Sequence, residues 1–522
     1  MKRSCTKSIA ILGTGSDVGK SLITAGLCRL LYRGGINVAP FKAQNMSLNS
    51  FVTSDGGEMG RAQVLQAQAC GLVPHVDMNP ILLKPEADAK SQVIVQGRVW
   101  GSQEAKEYFE RKSPLFDFVK GSYDRLAKQY EMIVIEGAGS AAEMNLRDRD
   151  IVNWPVVEMA DASVILVADI DRGGVFAQVI GTMDLLTPKE RQRVIGVVIN
   201  KFRGDLTLFD DGIKIIEERT GVPVLGVVPY VRNLELDQED SVDIERFRMT
   251  PFGTDTVNVA VALLPHMSNF TDFNQLAAES DVALRYAASP HELYGADVII
   301  LPGSKTTLED LDYLRKAGFE ETFMAHVQRG GEIVGVCGGF QMLGKELIDP
   351  QHVETGGSAH GLGLLDVKTE LISHKTTIQV HAHSQTELLG SECLVDGYEI
   401  HMGVTTRAKA VLPCFQIILD EAHSTSNYCE KRGEGALRGD GLVWGTYIHG
   451  VFDQPGFRRA WLNRVRGRKH LQPLASEISQ AVSKRLVQAI DRWADHVGTY
   501  LNMKPIFSAI ETRKDKGPSL MS

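Results

Sequence analysis

The chain has 522 residues, 43% of them hydrophobic and 23% charged, which is enough ordinary globular sequence for two or three domains and excludes fibrous and disordered classes. A formal net charge of −9 with no long basic block argues against nucleic acid or an anionic membrane as the main partner. Seven scattered cysteines lack zinc-ligand spacing, the start lacks a signal-peptide core, and no apolar run could span a bilayer, so a reduced, cytoplasmic setting is expected.

Ser8 to Leu12 reads as a buried strand that runs straight into Gly13-Thr14-Gly15-Ser16-Asp17-Val18-Gly19-Lys20-Ser21, and Leu22 to Leu31 continues as a helix. Strand, Gly-rich loop and helix together form a phosphate cradle. Backbone N–H groups face the anion, Lys20 reaches the outer phosphates, and the Ser21 hydroxyl is placed to hold Mg²⁺. Thr14 stands where the strict spacing has glycine, so the loop is a variant. Asn37 to Lys42 predicts a second strand, followed by a polar loop from Ala43 to Ser50; Lys42 at the strand's end and Asn45 in the loop are candidate substrate contacts. Glu58, after Gly56-Gly57, is either a metal or substrate contact or a first-turn acid favoured by the helix dipole. Met132 to Glu136 is a strand whose terminal carboxylate is a candidate Mg²⁺ ligand. Similar strands end near Asp169 and at Asn200-Lys201, where a nucleotide base is often recognised, and another spans Pro223 to Pro229. Val/Ile runs alternating with helical segments predict a parallel, doubly wound sheet. The acidic, aperiodic stretch 237–256 is expected to be a linker.

Val257 to Leu264 and Asp297 to Leu301 start a second set of buried strands, and Gly303 at the second tip could offer backbone N–H groups to an oxyanion. Gly335-Val336-Cys337-Gly338-Gly339 then has the layout of a nucleophile elbow: small residues two places either side of a thiol, on a turn between strand and helix. Free N–H groups at the helix start, Gly338 among them, would face the sulfur. The alternative is a small cysteine buried in a Gly-rich turn. His449, ending a strand before Gly450, is the best-placed base among the histidines, against the alternative of a satisfied structural imidazole. His381 and His383 share a strand face and read as surface residues.

These two motif sets, in this order, resemble the cobyric acid synthase family. Gly13 to Ser21, Phe41 to Ser50, Gly57 to Gln63, Glu136 to Leu146, Asp169 to Phe176 and Asn200 to Asp205 are similar to its dethiobiotin synthetase-like amide synthetase domain. Pro302 to Lys305, Cys337 to Gly344, Tyr398 to Gly403 and His449 to Phe452 are similar to its class I glutamine amidotransferase domain. The resemblance implies an α/β protein of two doubly wound domains: a P-loop parallel sheet (1–236) and, beyond the linker, a flavodoxin-like amidotransferase sheet (257–502); the tail (503–522), which carries Lys-Asp-Lys-Gly-Pro, is expected on its own composition to be mobile. It implies ATP and Mg²⁺ as cofactors, with L-glutamine and adenosylcobyrinic acid a,c-diamide as substrates. Four carboxylates (b, d, e and g) would be amidated through an acyl phosphate, with ammonia released at Cys337. In class I amidotransferases a glutamate commonly lies two residues after the histidine, and here Val451 stands there, leaving the third member of the site open. The nearest alternative, cobyrinic acid a,c-diamide synthase, is expected to carry an aspartate-containing loop where this chain has Ala43-Gln44-Asn45-Met46. A P-loop switch ATPase is the more distant one, and it does not account for the C-terminal half.

Overall fold

The computed structural model describes residues 6–87, 90–104, 112–232, 234–236, 247–248, 250–418, 431–476 and 482–511. Its first unit is built on a six-stranded parallel sheet in the order Val224–Pro229, Val194–Phe202, Ser163–Asp169, Lys7–Gly13, Met132–Glu136, Val38–Phe41. The strands are apolar along nearly their whole length because helices cover both faces of the sheet and leave no polar side. Lys7–Gly13 lies centrally, so the phosphate loop and the tip of Met132–Glu136 share one edge, where an open α/β sheet binds ligands.

Between Phe41 and Met132 the chain builds a small second sheet that the sequence reading did not anticipate. Gln44–Met46 pairs in parallel with Ile81–Ala87, followed by antiparallel Lys90–Val95 and Arg98–Glu104. A short hairpin, Ser50–Val52 against Glu58–Gly60, projects from it.

The second unit has its own six-stranded sheet: Val282–Ala287, Val257–Ala262, Val298–Leu301, Glu332–Val336 and Val443–Thr446 are parallel, and Ala436–Leu437 closes the edge antiparallel. The expectation of two doubly wound α/β units is met. Added to it is a seven-stranded, mostly antiparallel sheet centred on two long strands, Val367–Ser384 and Leu394–Arg407.

The expected boundaries at the C-terminal end need correction. The second unit was expected to run to residue 502. Instead the Val482–Tyr500 helix packs on the first unit, burying Ala489, Ile490, Trp493 and Val497 with Ile23, Leu27 and Leu31 of the Lys20–Arg33 helix. Arg29 pairs with Asp491, and the Trp493 indole N–H donates to the Leu22 carbonyl. Asn502 N–H donates to Leu225 O at 2.7 Å, which joins this end to the sheet's edge strand. The amphipathic period of 482–500 foretells a buried face but not the partner. Of the expected mobile tail, Lys504–Glu511 is a helix with Ile506 buried, and 512–522 lie outside the described residues. Most of the expected linker is outside them too, and its described end is anchored where the Arg285 guanidinium donates to Thr250 O. No helix among the described residues is long and apolar enough to cross a membrane.

Candidate active sites

Two glycines of the phosphate loop, Gly13 and Gly19, leave no room for a side chain. A Cβ on Gly13 would lie 2.8 Å from Val18 Cγ2 and 3.0 Å from Lys20 Nζ. Gly19 has φ +94°, and a Cβ there would lie 2.2 Å from Asn200 Nδ2, so only glycine fits. Thr14, the departure from strict spacing, donates its N–H to Val167 O. Lys20 bonds to the carbonyls of Gly15 (2.9 Å) and Gly139 (3.0 Å), spanning the place where phosphates would sit. Ser16 and Asp17 line the same cavity.

Glu136 is buried at the end of its strand. Its carboxylate accepts from Ser21 Oγ at 2.7 Å, Lys42 Nζ at 2.9 Å and Gln66 Nε2 at 2.5 Å. Burial opposes its charge, but Lys42 and these hydrogen bonds outweigh burial and hold the carboxyl below its ordinary range. A serine hydroxyl and a carboxylate in contact are the hard oxygen donors that Mg²⁺ takes from a protein, with phosphates and water completing its shell. The donor set therefore fits, although Lys42 sits on the same oxygen. Asn45 joins through Gln63, donating to Gln63 Oε1 at 3.0 Å. Asn200 and Lys201, expected at the base, also brace the loop: Asn200 Nδ2 donates to Val18 O at 2.9 Å, and Lys201 pairs with Asp169 at 3.0 Å. Lys20, Ser21, Lys42, Asn45, Glu136, Asn200 and Lys201 border a cavity of about 460 Å³ that also takes in Tyr230 and, from the last long helix, Trp493.

Glu58 is placed differently from expectation. It lines neither synthetase cavity. It is buried at the junction between the units, paired with Lys84 at 2.9 Å and Lys375 at 2.6 Å. Burial opposes its charge, yet the two lysines hold it at about 2, while burial brings Lys375 down to about 8.

In the second unit Cys337 occupies a strained corner, φ 50° and ψ −109°, between Glu332–Val336 and the Gly338–Leu343 helix. The glycines around it are obligatory, since a Cβ on Gly339 would lie 2.0 Å from Leu301 O and one on Gly335 2.7 Å from Gly339 C. This is the elbow the spacing predicts, and it shares a cavity with His449. Gly303 and Gly338 both come to this corner: a Cβ on Gly303 would lie 3.4 Å from His449 Cε1, and one on Gly338 2.8 Å from Ser304 N. His449 is buried, and its Nδ1 lies 2.7 Å from Asp272 Oδ2. Burial disfavours an imidazolium here, but Asp272 and the Cys337 sulfur overcome burial and raise His449 to about 10. Asp272 is thus the carboxylate left open by Val451. It arrives from 177 residues away, on the turn Phe270–Phe273. The one signal for it in the sequence is the polar run Ser268-Asn269 to Asp272 just past a strand, the usual ligand edge of such sheets.

The two sites lie on opposite faces of the small sheet between them. Lys84 and Gln92, directly paired, face the Cys337 cavity. Their neighbours Leu83 and Val93, also paired, face a largely apolar cavity of about 340 Å³ with Met46, Trp154 and Arg147 in its wall. That cavity shares Gln44, Met46, Ala138 and Gly139 with the nucleotide cavity.

Comparison with known proteins agrees with this division. Residues 9–243 match the CobQ/CobB/MinD/ParA nucleotide binding domain, and residues 258–457 match the CobB/CobQ-like glutamine amidotransferase domain. A protein of Syntrophobacter fumaroxidans named cobyric acid synthase is 46% identical over 508 residues, 96% of this chain and 98% of its own length. Proteins of the same name from Citrobacter koseri and Klebsiella pneumoniae are each 47% identical, covering 98% of this chain and 99% of their own lengths.

Proposed function

Because this chain belongs to the cobyric acid synthase family, we propose that it is an ATP-dependent ligase that amidates the b, d, e and g carboxylates of adenosylcobyrinic acid a,c-diamide with ammonia drawn from glutamine. The observation that carries this reading is the pairing, in one chain, of a Cys337–His449–Asp272 set with a phosphate-loop cavity, lined by Lys20 and Glu136, that adjoins an apolar cavity at Gln44, Met46, Ala138 and Gly139.

At the first site the Cys337 sulfur attacks the side-chain amide carbon of glutamine. His449 holds the thiol proton, steadied by Asp272, and passes it to the departing ammonia. Backbone N–H groups at Gly303 and Gly338 receive the oxyanion. Water then releases glutamate from the thioester. At the second site a carboxylate oxygen of the acceptor attacks the γ-phosphorus of ATP, giving an acyl phosphate and ADP, and ammonia displaces phosphate from the acyl carbon. Gly13 to Ser21 bind the triphosphate, Lys20 leaves its carbonyl partners for the phosphates, and Ser21 and Glu136 would hold Mg²⁺, whose part is to neutralise phosphate charge. The apolar cavity beside Gly139 suits a large macrocycle, with Arg147 available to a peripheral carboxylate. All five described cysteines are free thiols, which supports a cytoplasmic setting.

Mass spectrometry of the products tests the assignment. Incubation of the a,c-diamide with ATP and glutamine should yield gains of one to four amides; no gain would overturn it, and amidation of unamidated cobyrinic acid instead would favour the a,c-diamide synthase. Cys337→Ser should lose glutamine-dependent turnover while keeping turnover with ammonium chloride, whereas Lys20→Ala should lose both.

A further inference from the structure

Three groups beside the His449 imidazole, Asn269, Tyr398 and Asp272, are linked directly or through their own turn to one or other of two adjacent residues of the first unit, Asn49 and Ser50. Asn269 lies with its Nδ2 3.3 Å from His449 Nδ1, and its Oδ1 accepts the Ser50 N–H at 3.0 Å. Tyr398 stacks on the imidazole, with centroids 5.3 Å apart and planes 20° apart, and its hydroxyl donates to the Ser50 carbonyl at 3.1 Å. Asp272 sits on the Phe270–Phe273 turn, whose first N–H donates to Asn49 Oδ1 at 3.1 Å. Asn269 itself has φ 52° and ψ 43°, a left-handed conformation that Asn adopts more readily than most residues with a side chain, and it bridges His449 of its own unit to Ser50 of the other.

The same segment begins at the synthetase site. Lys42, seven residues before Asn49, lies on Glu136, and Gln44–Met46 lines both the nucleotide cavity and the apolar cavity. We propose that residues 49 and 50 form a coupling clamp: seated, they hold Asn269, Tyr398 and Asp272 around His449, so that glutamine is hydrolysed rapidly only when the segment 42–50 is ordered by an occupied synthetase site. The clamp rests on the reading of Cys337 and His449 as the glutamine-hydrolysing pair. Asn49 and Tyr398 are positioning residues in it.

The test compares nitrogen sources in the full chain, with ATP and the acceptor present. Asn49→Ala and Tyr398→Phe, the latter keeping the stacked ring, should each lower the glutamine-dependent kcat roughly 10- to 100-fold, the scale of misplacing a catalytic group. Turnover with ammonium chloride should stay within about twofold of wild type under the same positioning argument. Asn49→Asp, which keeps an acceptor oxygen for Phe270 N–H, should restore the glutamine rate. In the wild-type enzyme, glutamate release from glutamine should rise on adding ATP and acceptor, and this rise should vanish in Asn49→Ala. Equal losses with both nitrogen sources, unchanged glutamine rates in both variants, or a wild-type glutamate release indifferent to ATP and acceptor would each overturn the clamp. If Asn49→Ala does not fold, Tyr398→Phe decides alone. A wild-type enzyme that makes no amide from glutamine would instead defeat the functional reading beneath it.

Discussion

Asp272 governs the charge of His449, and its effect is measurable in two ways. The imidazole is lifted from 6.5 to about 10 against the cost of burial, so its bound proton contributes stability that is fully present below pH 6.5 and is lost as pH rises through about 10. In Asp272→Asn that loss between neutral and alkaline pH should shrink. Lys375, also titrating in this range, is common to both proteins and cancels in the comparison of melting temperature against pH. The same variant should lower glutamine-dependent kcat/KM, by roughly 10- to 100-fold, and move the pH inflection downward, because a neutral amide supports the imidazolium poorly. Cys337, His449 and Lys20 are legible in the sequence because each sits in a local strand, turn and helix pattern. Asp272 is not, since only tertiary folding brings it to the imidazole, and Glu58, open to reading as a ligand contact or a first-turn acid, is neither of these but a strand residue buried against two lysines that arrive from distant parts of the chain.

The elbow at Cys337 is held from behind. Gly339 lies against the Leu301 carbonyl so closely that an added methyl would be 2.0 Å from it. Gly339→Ala should therefore push the Gly338–Leu343 helix off the strand Val298–Leu301, destabilising the second unit by about 1–3 kcal/mol, the usual cost of overpacking. Denaturant unfolding would show this, together with lost alkylation of Cys337 by a glutamine-like electrophile; a variant as stable and reactive as wild type would show that the corner tolerates bulk. The parallel strands were readable because burial on both faces leaves unbroken Val/Ile runs. The added sheets from 44 to 104 and from 346 to 434 were mostly not, because their strands lack such unbroken runs; the face shared by His381 and His383, within Val367–Ser384, was readable as strand.

At the scale of the whole molecule, the chain leaves the first unit after 236, builds the second, and returns with Val482–Tyr500 to finish the first. Deletion of residues 482–522 should therefore damage the site farther away in sequence. ATP binding by calorimetry should be lost and ammonium-dependent turnover with it, while Cys337 remains open to alkylation. Retained ATP binding would show that the helix is dispensable. Even Trp493 alone, filling space against Gly26 of the Lys20–Arg33 helix, should cost about 3–5 kcal/mol when replaced by alanine. This return has a consequence for the order of events on the ribosome. Synthesis proceeds from the N-terminus, and domains ordinarily fold in the order they emerge. Here the nucleotide-binding unit is begun first and closed last: until the final forty or so residues are made, its Lys20–Arg33 helix presents the apolar face that Val482–Tyr500 will cover, while the glutamine-hydrolysing unit already has every strand it needs. The nascent chain must therefore keep an unfinished first domain soluble through some 240 residues of further translation, which makes it the part most exposed to chaperones and to premature aggregation.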